Sequence, residues 1–173
     1  LDCANQEDMA ENYSIRGRSK AMLGDFTGAF ADCDKAIAMN PKSPFNYLNR
    51  ADAYRVQGKS AQALQDCAQA IKIQPDLPVA YQMTAVLYDE QGMHKEALAN
   101  YQSYYKLAPQ AQDIPEEYLQ EIDPAAVQKI HEAKAKREAA EKAAQEEKEK
   151  AEKKAQQEKE TEKAQQKVPQ PSQ

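Results

Sequence analysis

The 173-residue chain has no tryptophan, five glycines, three phenylalanines, three cysteines and two histidines, and each scarcity removes a class of function. Five glycines leave no room for a glycine-rich phosphate loop, and neither HExxH nor G-x-S-x-G occurs. His94 and His131 stand apart from any cysteine, serine or carboxylate arrangement that would make either a general base, so they read as surface residues. The expectation is a protein that is not an enzyme. Cys3, Cys33 and Cys67 form neither a CxxC pair nor a metal-like cluster, so no metal and no cofactor is expected. Cys33 and Cys67 read as buried free thiols, and Cys3 is the one candidate for a reactive thiol. Long apolar runs are missing too: nothing approaches the roughly 18 consecutive apolar residues of a membrane-spanning helix.

What is present is divided unevenly. All twelve Tyr and Phe residues precede Pro124, and beyond it the apolar inventory is Val127, Ile130, Val168 and many alanines. The first 123 residues carry a net charge of −7 and the remainder +2. An acidic front argues against nucleic acid, whose phosphates need a basic face. The start, Leu1-Asp2-Cys3-Ala4, is what cleavage of an export signal leaves, which favours a processed or envelope protein; a fragment boundary or a cytoplasmic protein gives the same start.

A register of 34 residues organises the front. It relates Pro41, Pro75 and Pro109; Gly24, Gly58 and Gly92; Tyr13, Tyr47 and Tyr81; and Ala29, Ala63 and Ala97. Such a period describes helical hairpins, each too small to bury its own apolar face, that stack into a solenoid. In the second copy Ser43 is placed to cap and Pro44 to open a helix. Tyr47, Leu48, Ala51 and Tyr54 form its apolar stripe, Gly58 ends it, and Ala63, Leu64, Cys67, Ala70 and Ile71 mark the next helix before Pro75.

These positions resemble the tetratricopeptide repeat (TPR) family over about residues 10–109. The family's small residue in the first helix is Gly17, Ala51 and Ala85, and the alanine at the helix crossing is Ala29, Ala63 and Ala97. Lys20 departs from the aromatic position held by Tyr54 and Tyr88, and Tyr101, Tyr104 and Tyr105 replace small residues in copy three, which suggests that copy three packs on something other than a fourth repeat. The resemblance implies an all-α fold: a right-handed TPR α-solenoid of three hairpins (10–43, 44–77, 78–111) after an N-terminal segment (1–9). A capping helix is expected over 112–123, with Asp113 and Glu116 as a capping box and Ile114, Tyr118, Leu119 and Ile122 on its apolar face. Asp123 and Pro124 then restart a single charged helix over 124–167, whose Glu-to-Lys pairs at four-residue spacing include Glu132 with Lys136, Glu138 with Lys142, Glu146 with Lys150 and Glu149 with Lys153. Residues 168–173 are expected to be disordered.

In the family the first helices line a concave face that binds peptides. Carried over position by position, that face comprises Ile15, Arg18 and Met22; Phe45, Leu48, Asn49, Asp52, Arg55 and Val56; and Val79, Met83 and Val86. Leu48 and Asn49 fit a packing role between helices equally well. The family's clamp for the C-terminal carboxylate of chaperones needs two lysines, an arginine and two asparagines; only Asn49 matches, since Ser14, Arg18, Val79 and Met83 hold the other positions. The expected function is therefore a non-catalytic interaction module or scaffold. It would take a protein or peptide with apolar anchors rather than a chaperone tail, with no nucleic acid, no membrane span and homo-oligomerisation left open. The alternative is a structural subunit whose charged helix serves as spacer or docking arm, or whose Val127 and Ile130 fill the groove from within.

Overall fold

A computed structural model describes the backbone of residues 3–111 and 113–165, and the side chains of residues 7–111, 113–145, 147, 148 and 150. The Cys3 side chain, the pairs Glu146–Lys150 and Glu149–Lys153, and the expected disorder of 168–173 lie outside the described residues. Among the described residues eight helices follow in order: α1 (Cys3–Met22), α2 (Phe26–Met39), α3 (Pro44–Val56), α4 (Ser60–Ile73), α5 (Pro78–Asp89), α6 (His94–Leu107), α7 (Glu116–Ile122) and α8 (Pro124–Gln165). No strand occurs among the described residues. The chain divides into two units, Leu1–Tyr118 and Leu119–Gln173.

The punctuation of the first unit follows from three glycines. Gly24, Gly58 and Gly92 adopt φ of 85°, 79° and 70°, the left-handed conformation that costs a residue with a Cβ. Each closes the same double backbone bond. Gly58 N donates to Arg55 O and Lys59 N to Tyr54 O, as Gly24 and Asp25 do to Ala21 and Lys20, and Gly92 and Met93 to Asp89 and Tyr88. Pro44 and Pro78 open α3 and α5 in the first turn, where the missing N–H leaves no bond unmade. Ser43 holds the cap position of α3 but its side chain makes no capping bond; Asp25 does cap α2, accepting from Gly28 N.

α1 packs on α2, α3 on α4 and α5 on α6, and each hairpin lies against the next through α1 with α3, α2 with α3 and α4 with α5. The crossings close on small residues: Ala29, Cys33, Ala51, Ala63, Cys67, Ala85 and Ala97 are fully buried. At Gly17 a Cβ would lie 2.6 Å from Cys33 Sγ and 2.8 Å from the Ala29 carbonyl oxygen, so the first copy crosses more tightly than an alanine permits. The repeated Tyr and Pro are one device. Tyr47 Oη donates to the Pro41 carbonyl (3.3 Å) and Tyr81 Oη to that of Pro75 (2.9 Å), tying each new hairpin to the exit of the last.

The third copy ends differently. Tyr118 is buried against Tyr101, with centroids 4.7 Å apart, its other neighbour being the His94 ring at 4.7 Å, and its hydroxyl donates to Asp89. Tyr104 donates to Asp113 at 2.7 Å, and Gln82 reaches the other oxygen of that carboxylate. α7 starts at Glu116, so Asp113 stands before the position a cap would occupy and is engaged with the third hairpin instead. Burial and the adjacent Asp113 carboxylate push the Tyr104 hydroxyl up to about 12.

Within the second unit, Asp123 caps α8: its Oδ1 accepts from Ala126 N at 3.1 Å. α8 is 42 residues long, which at about 1.5 Å per residue gives roughly 63 Å. Val127 is buried and Ile130 exposed, and every described side chain from residue 128 onward is exposed. No described helix is long and apolar enough to cross a membrane.

Candidate functional site: a face of paired charges and exposed apolar side chains

The first helices of the three hairpins, α1, α3 and α5, share one face, and polar side chains stitch it together. Arg18 Nε donates to Asp52 Oδ2 at 2.6 Å, linking α1 to α3. Asn49 Nδ2 donates to Ser14 Oγ at 2.8 Å across the same pair. Arg55 binds Asp52 with Nε and Nη2 (3.1 and 2.9 Å) and extends Nη1 to Glu90 Oε1 at 2.9 Å, linking α3 to the end of α5. Two guanidiniums and two carboxylates therefore form a closed line across the face. The buried Asp52 is shared by both arginines, which leaves the four charges balanced in sign.

Around this line the apolar side chains divide. Met22, Phe45 and Ile15 are 62%, 53% and 51% exposed, and Val56 stands at the same rim. Leu48, at 4%, belongs to the core, where it packs with Ala51, Leu77 and Leu87. Its place in the groove is thereby corrected, because the stripe that turns toward α4 takes it inward. Val79 and Met83 lean on the same core cluster, and Val86 is half-buried. Asp52 is buried and Asn49 is committed to Ser14, so both hold the face in shape rather than offering themselves to a ligand. The accessible apolar surface is thus the α1 and α3 end.

At that end a cleft of about 500 Å³ opens between α1 and the entry to α3. Ile15 and Phe45 supply apolar walls, Glu7, Asp8 and Glu11 an acidic rim, and Ser14 and Asn49 a polar floor. No cluster of His, Cys, Asp and Glu among the described residues has an arrangement that would hold a metal ion. The Cys33 and Cys67 thiols are fully buried, and burial pushes both up to about 12.

A second set of ion pairs, absent from the reading of the repeats, lies inside the hairpins. Arg16 grips Asp32 with Nε and Nη2, both at 2.7 Å. Arg50 grips Asp66 in the same way at 2.8 and 2.7 Å and sends Nη1 to Asp34 at 2.7 Å. Arg16 and Arg50 are 34 residues apart, as are Asp32 and Asp66, so the signal was in the register, among charged residues rather than apolar ones. Lys20, the apparent departure at an aromatic position, adds a second cation to Asp32 at 2.8 Å. The Arg16 bonds hold the Asp32 carboxyl at about 2, against the opposing effect of burial.

Comparison with known proteins places this geometry. Residues 33–65 match the tetratricopeptide repeat family. The tetratricopeptide repeat protein 36 homolog of Nematostella vectensis is 38% identical over 60 residues, 34% of this chain and 33% of that protein, so the chain spans about a third of the length of this curated relative. The TPR domain of Arabidopsis OM64 aligns with a TM-score of 0.56 and 25% identity, over 62% of this chain and 88% of that one. The first TPR domain of human RPAP3 aligns at 0.58 with 25% identity, over 77% and 98%. The first TPR of Spaghetti (RPAP3) bound to the HSP90 peptide SRMEEVD aligns at 0.58 with 24% identity, over 75% and 98%, and this likeness speaks to the fold alone.

Proposed function

The chain is a tetratricopeptide-repeat protein, and from that premise we propose that it is a non-catalytic interaction module whose α1–α3 face holds a partner polypeptide through apolar anchors. The observation that carries this reading is the exposure of Phe45 and Ile15 in the walls of a cleft, and of Met22 on the same helix as Ile15, on a face whose charges are already paired. Two aromatic or aliphatic side chains set against Phe45 and Ile15 would bury the apolar surface that anchors a peptide. The rim formed by Glu7, Asp8 and Glu11 selects a basic flank and opposes an acidic one. One related domain is solved with the acidic HSP90 peptide SRMEEVD; here Asp52 and Glu90 balance the charge of the two groove arginines, so an anionic chain terminus meets no net positive charge from this line. The partner is therefore a basic, apolar-anchored peptide rather than a chaperone tail.

The test is fluorescence anisotropy on the full chain with two labelled peptides, SRMEEVD and a Lys-rich helical peptide carrying Leu and Phe on one face. The second should bind and lose at least tenfold in affinity with Phe45→Glu, which sets a carboxylate against the anchor. Equal binding of both peptides, or binding indifferent to Phe45→Glu and Met22→Glu, would refute the reading. A second reading, a structural subunit using α8 as a spacer, rests on the exposure of every described α8 side chain from residue 128 onward. Deleting residues 124–173 should spare peptide capture under the first reading and abolish assembly into the complex under the second.

A further inference from the structure

The same register exposes a second docking surface, at the N-terminal end of the stack and away from the groove. In copy two, three side chains of α3 receive the exit of the preceding helix. Asn46 Nδ2 donates to the Ala36 and Asn40 carbonyls (3.1 and 3.0 Å), Tyr47 Oη to that of Pro41, and Arg50 Nη1 to the Asp34 carboxylate. Together they bind three carbonyls and one carboxylate at the exit of α2, where the Ala36 carbonyl, already accepting from Asn40 N, takes the Asn46 amide as a second donor. Copy three keeps the tyrosine, Tyr81 on Pro75, but has Ala80 and Thr84 at the other two positions.

Copy one keeps all three. Asn12, Tyr13 and Arg16 stand 34 residues before Asn46, Tyr47 and Arg50. Among the described residues Asn12 is exposed and its amide has no bond, whereas Asn46 is buried. Arg16 spends Nε and Nη2 on Asp32, as Arg50 does on Asp66, leaving Nη1, the nitrogen that Arg50 extends to the preceding helix. Tyr13 accepts from Lys35 at 2.8 Å, which leaves its own proton to donate. Met9, Asn12, Tyr13 and Arg16 line a cleft of about 310 Å³. Residues 3–9 continue α1 as helix, where residues 40–43 turn back beneath α3.

We infer that this face receives the C-terminal turn of an α-helix from a partner polypeptide, held by Asn12, Tyr13 and Arg16 as the end of α2 is held by Asn46, Tyr47 and Arg50. The chemistry of the occupant follows from the bonds seen in copy two: an acidic side chain two residues before the first captured carbonyl, as Asp34 precedes Ala36, and an Asn-Pro exit. The cations match it. Arg16 and Lys35 stand 5.0 and 4.2 Å from the Tyr13 ring centroid, and they face the negative end of an incoming helix. A second copy of this chain does not supply that helix. Its α2 and α4 exits are already bound by Tyr47 and Tyr81, and α6 carries Gln102 where α2 carries Asp34.

The probe is a peptide with the sequence of residues 26–42, side-chain bridged between positions 27 and 31 to hold it helical, titrated into the full isotope-labelled chain and followed by NMR. The Asn12 side-chain amide and the backbone amides of Met9, Asn12, Tyr13 and Arg16 should shift while Ile15 and Phe45 do not, which keeps this surface distinct from the groove. Asn12→Ala, at an exposed site that leaves the fold intact by circular dichroism, should weaken binding about fivefold, the worth of one hydrogen bond. Replacing Asp34 by alanine in the peptide should weaken it at least as much. No shift at about 1 mM peptide, shifts centred on Phe45, or binding unchanged by both substitutions would each overturn the assignment.

Discussion

Replacing Arg50 should reveal how much of the stack rests on charges rather than on its alanines. Arg50 joins three helices: two nitrogens hold Asp66 on α4 and the third holds Asp34 on α2. The two partners are not equivalent. The Asp66 side chain is 8% exposed and that of Arg50 22%, whereas Asp34 is 61% exposed. The Asp34 bond is a surface pair worth about 0.5 kcal/mol. Arg50→Thr strands the Asp66 carboxylate, and an uncompensated buried charge of this kind costs about 3 kcal/mol after allowance for the partial exposure of the pair. Asp66→Asn leaves Arg50 free to turn outward, so about 1.5 kcal/mol is expected. Copy three supplies the control, since Thr84 and Asn100 occupy the equivalent positions and each returns to a carbonyl four residues earlier, on Ala80 and Glu96. The double variant Arg50→Thr/Asp66→Asn imports that solution and should cost about 2 kcal/mol, well below the sum of the singles. Urea unfolding followed by circular dichroism measures all three. Additive single effects within about 0.5 kcal/mol would refute the coupling, and with it the claim that the pair acts as one tie.

Gly58→Ala meets no atom within 4 Å, so its cost is the left-handed backbone alone, about 1 kcal/mol by thermal unfolding; an unchanged midpoint would mean that the turn relaxes. Asp32 titrates at about 2 in the folded chain against 3.8 for the free side chain, so its stabilisation is whole above pH 4 and is lost as pH falls toward 2. Because Arg16 is 57% exposed, solvent screening reduces that contribution to about 1 kcal/mol. Asp32→Asn should accordingly flatten the acid limb of a stability profile over that window, and a wild-type slope in the variant would locate the acid sensitivity elsewhere. Cys33 and Cys67, buried and with thiols raised to about 12, should resist a thiol reagent at pH 8 in the native chain and react on unfolding, read by mass spectrometry. Native labelling of either would contradict the packing at the crossings.

The legible part of this molecule is whatever the 34-residue period repeats without reference to a neighbour. Gly24, Gly58 and Gly92 announce their turns because a positive φ depends on the backbone alone. The alanines announce the crossings because a close approach depends on volume alone. Arg16 and Asp32 share the same register and still escaped notice, since a charge in sequence does not say whether it meets water or a counter-ion; only the hairpin, bringing positions 16 residues apart together, decides. Leu48 escaped for a related reason: a helix stripe is wider than the line dividing core from groove, and the side on which a residue falls is set by the next hairpin. The departures from the period carry most of the specificity. Lys20 stands where an aromatic was expected because Asp32 attracts it, and Tyr101 is large because Tyr118 packs against it rather than another hairpin. By the same logic Asn12 and Tyr13 are the instructive conformity. They keep the residues of an interior repeat, and among the described residues the Asn12 amide has no bond and the Tyr13 hydroxyl, which accepts from Lys35, keeps its proton, the two donors that a docked helix end would use.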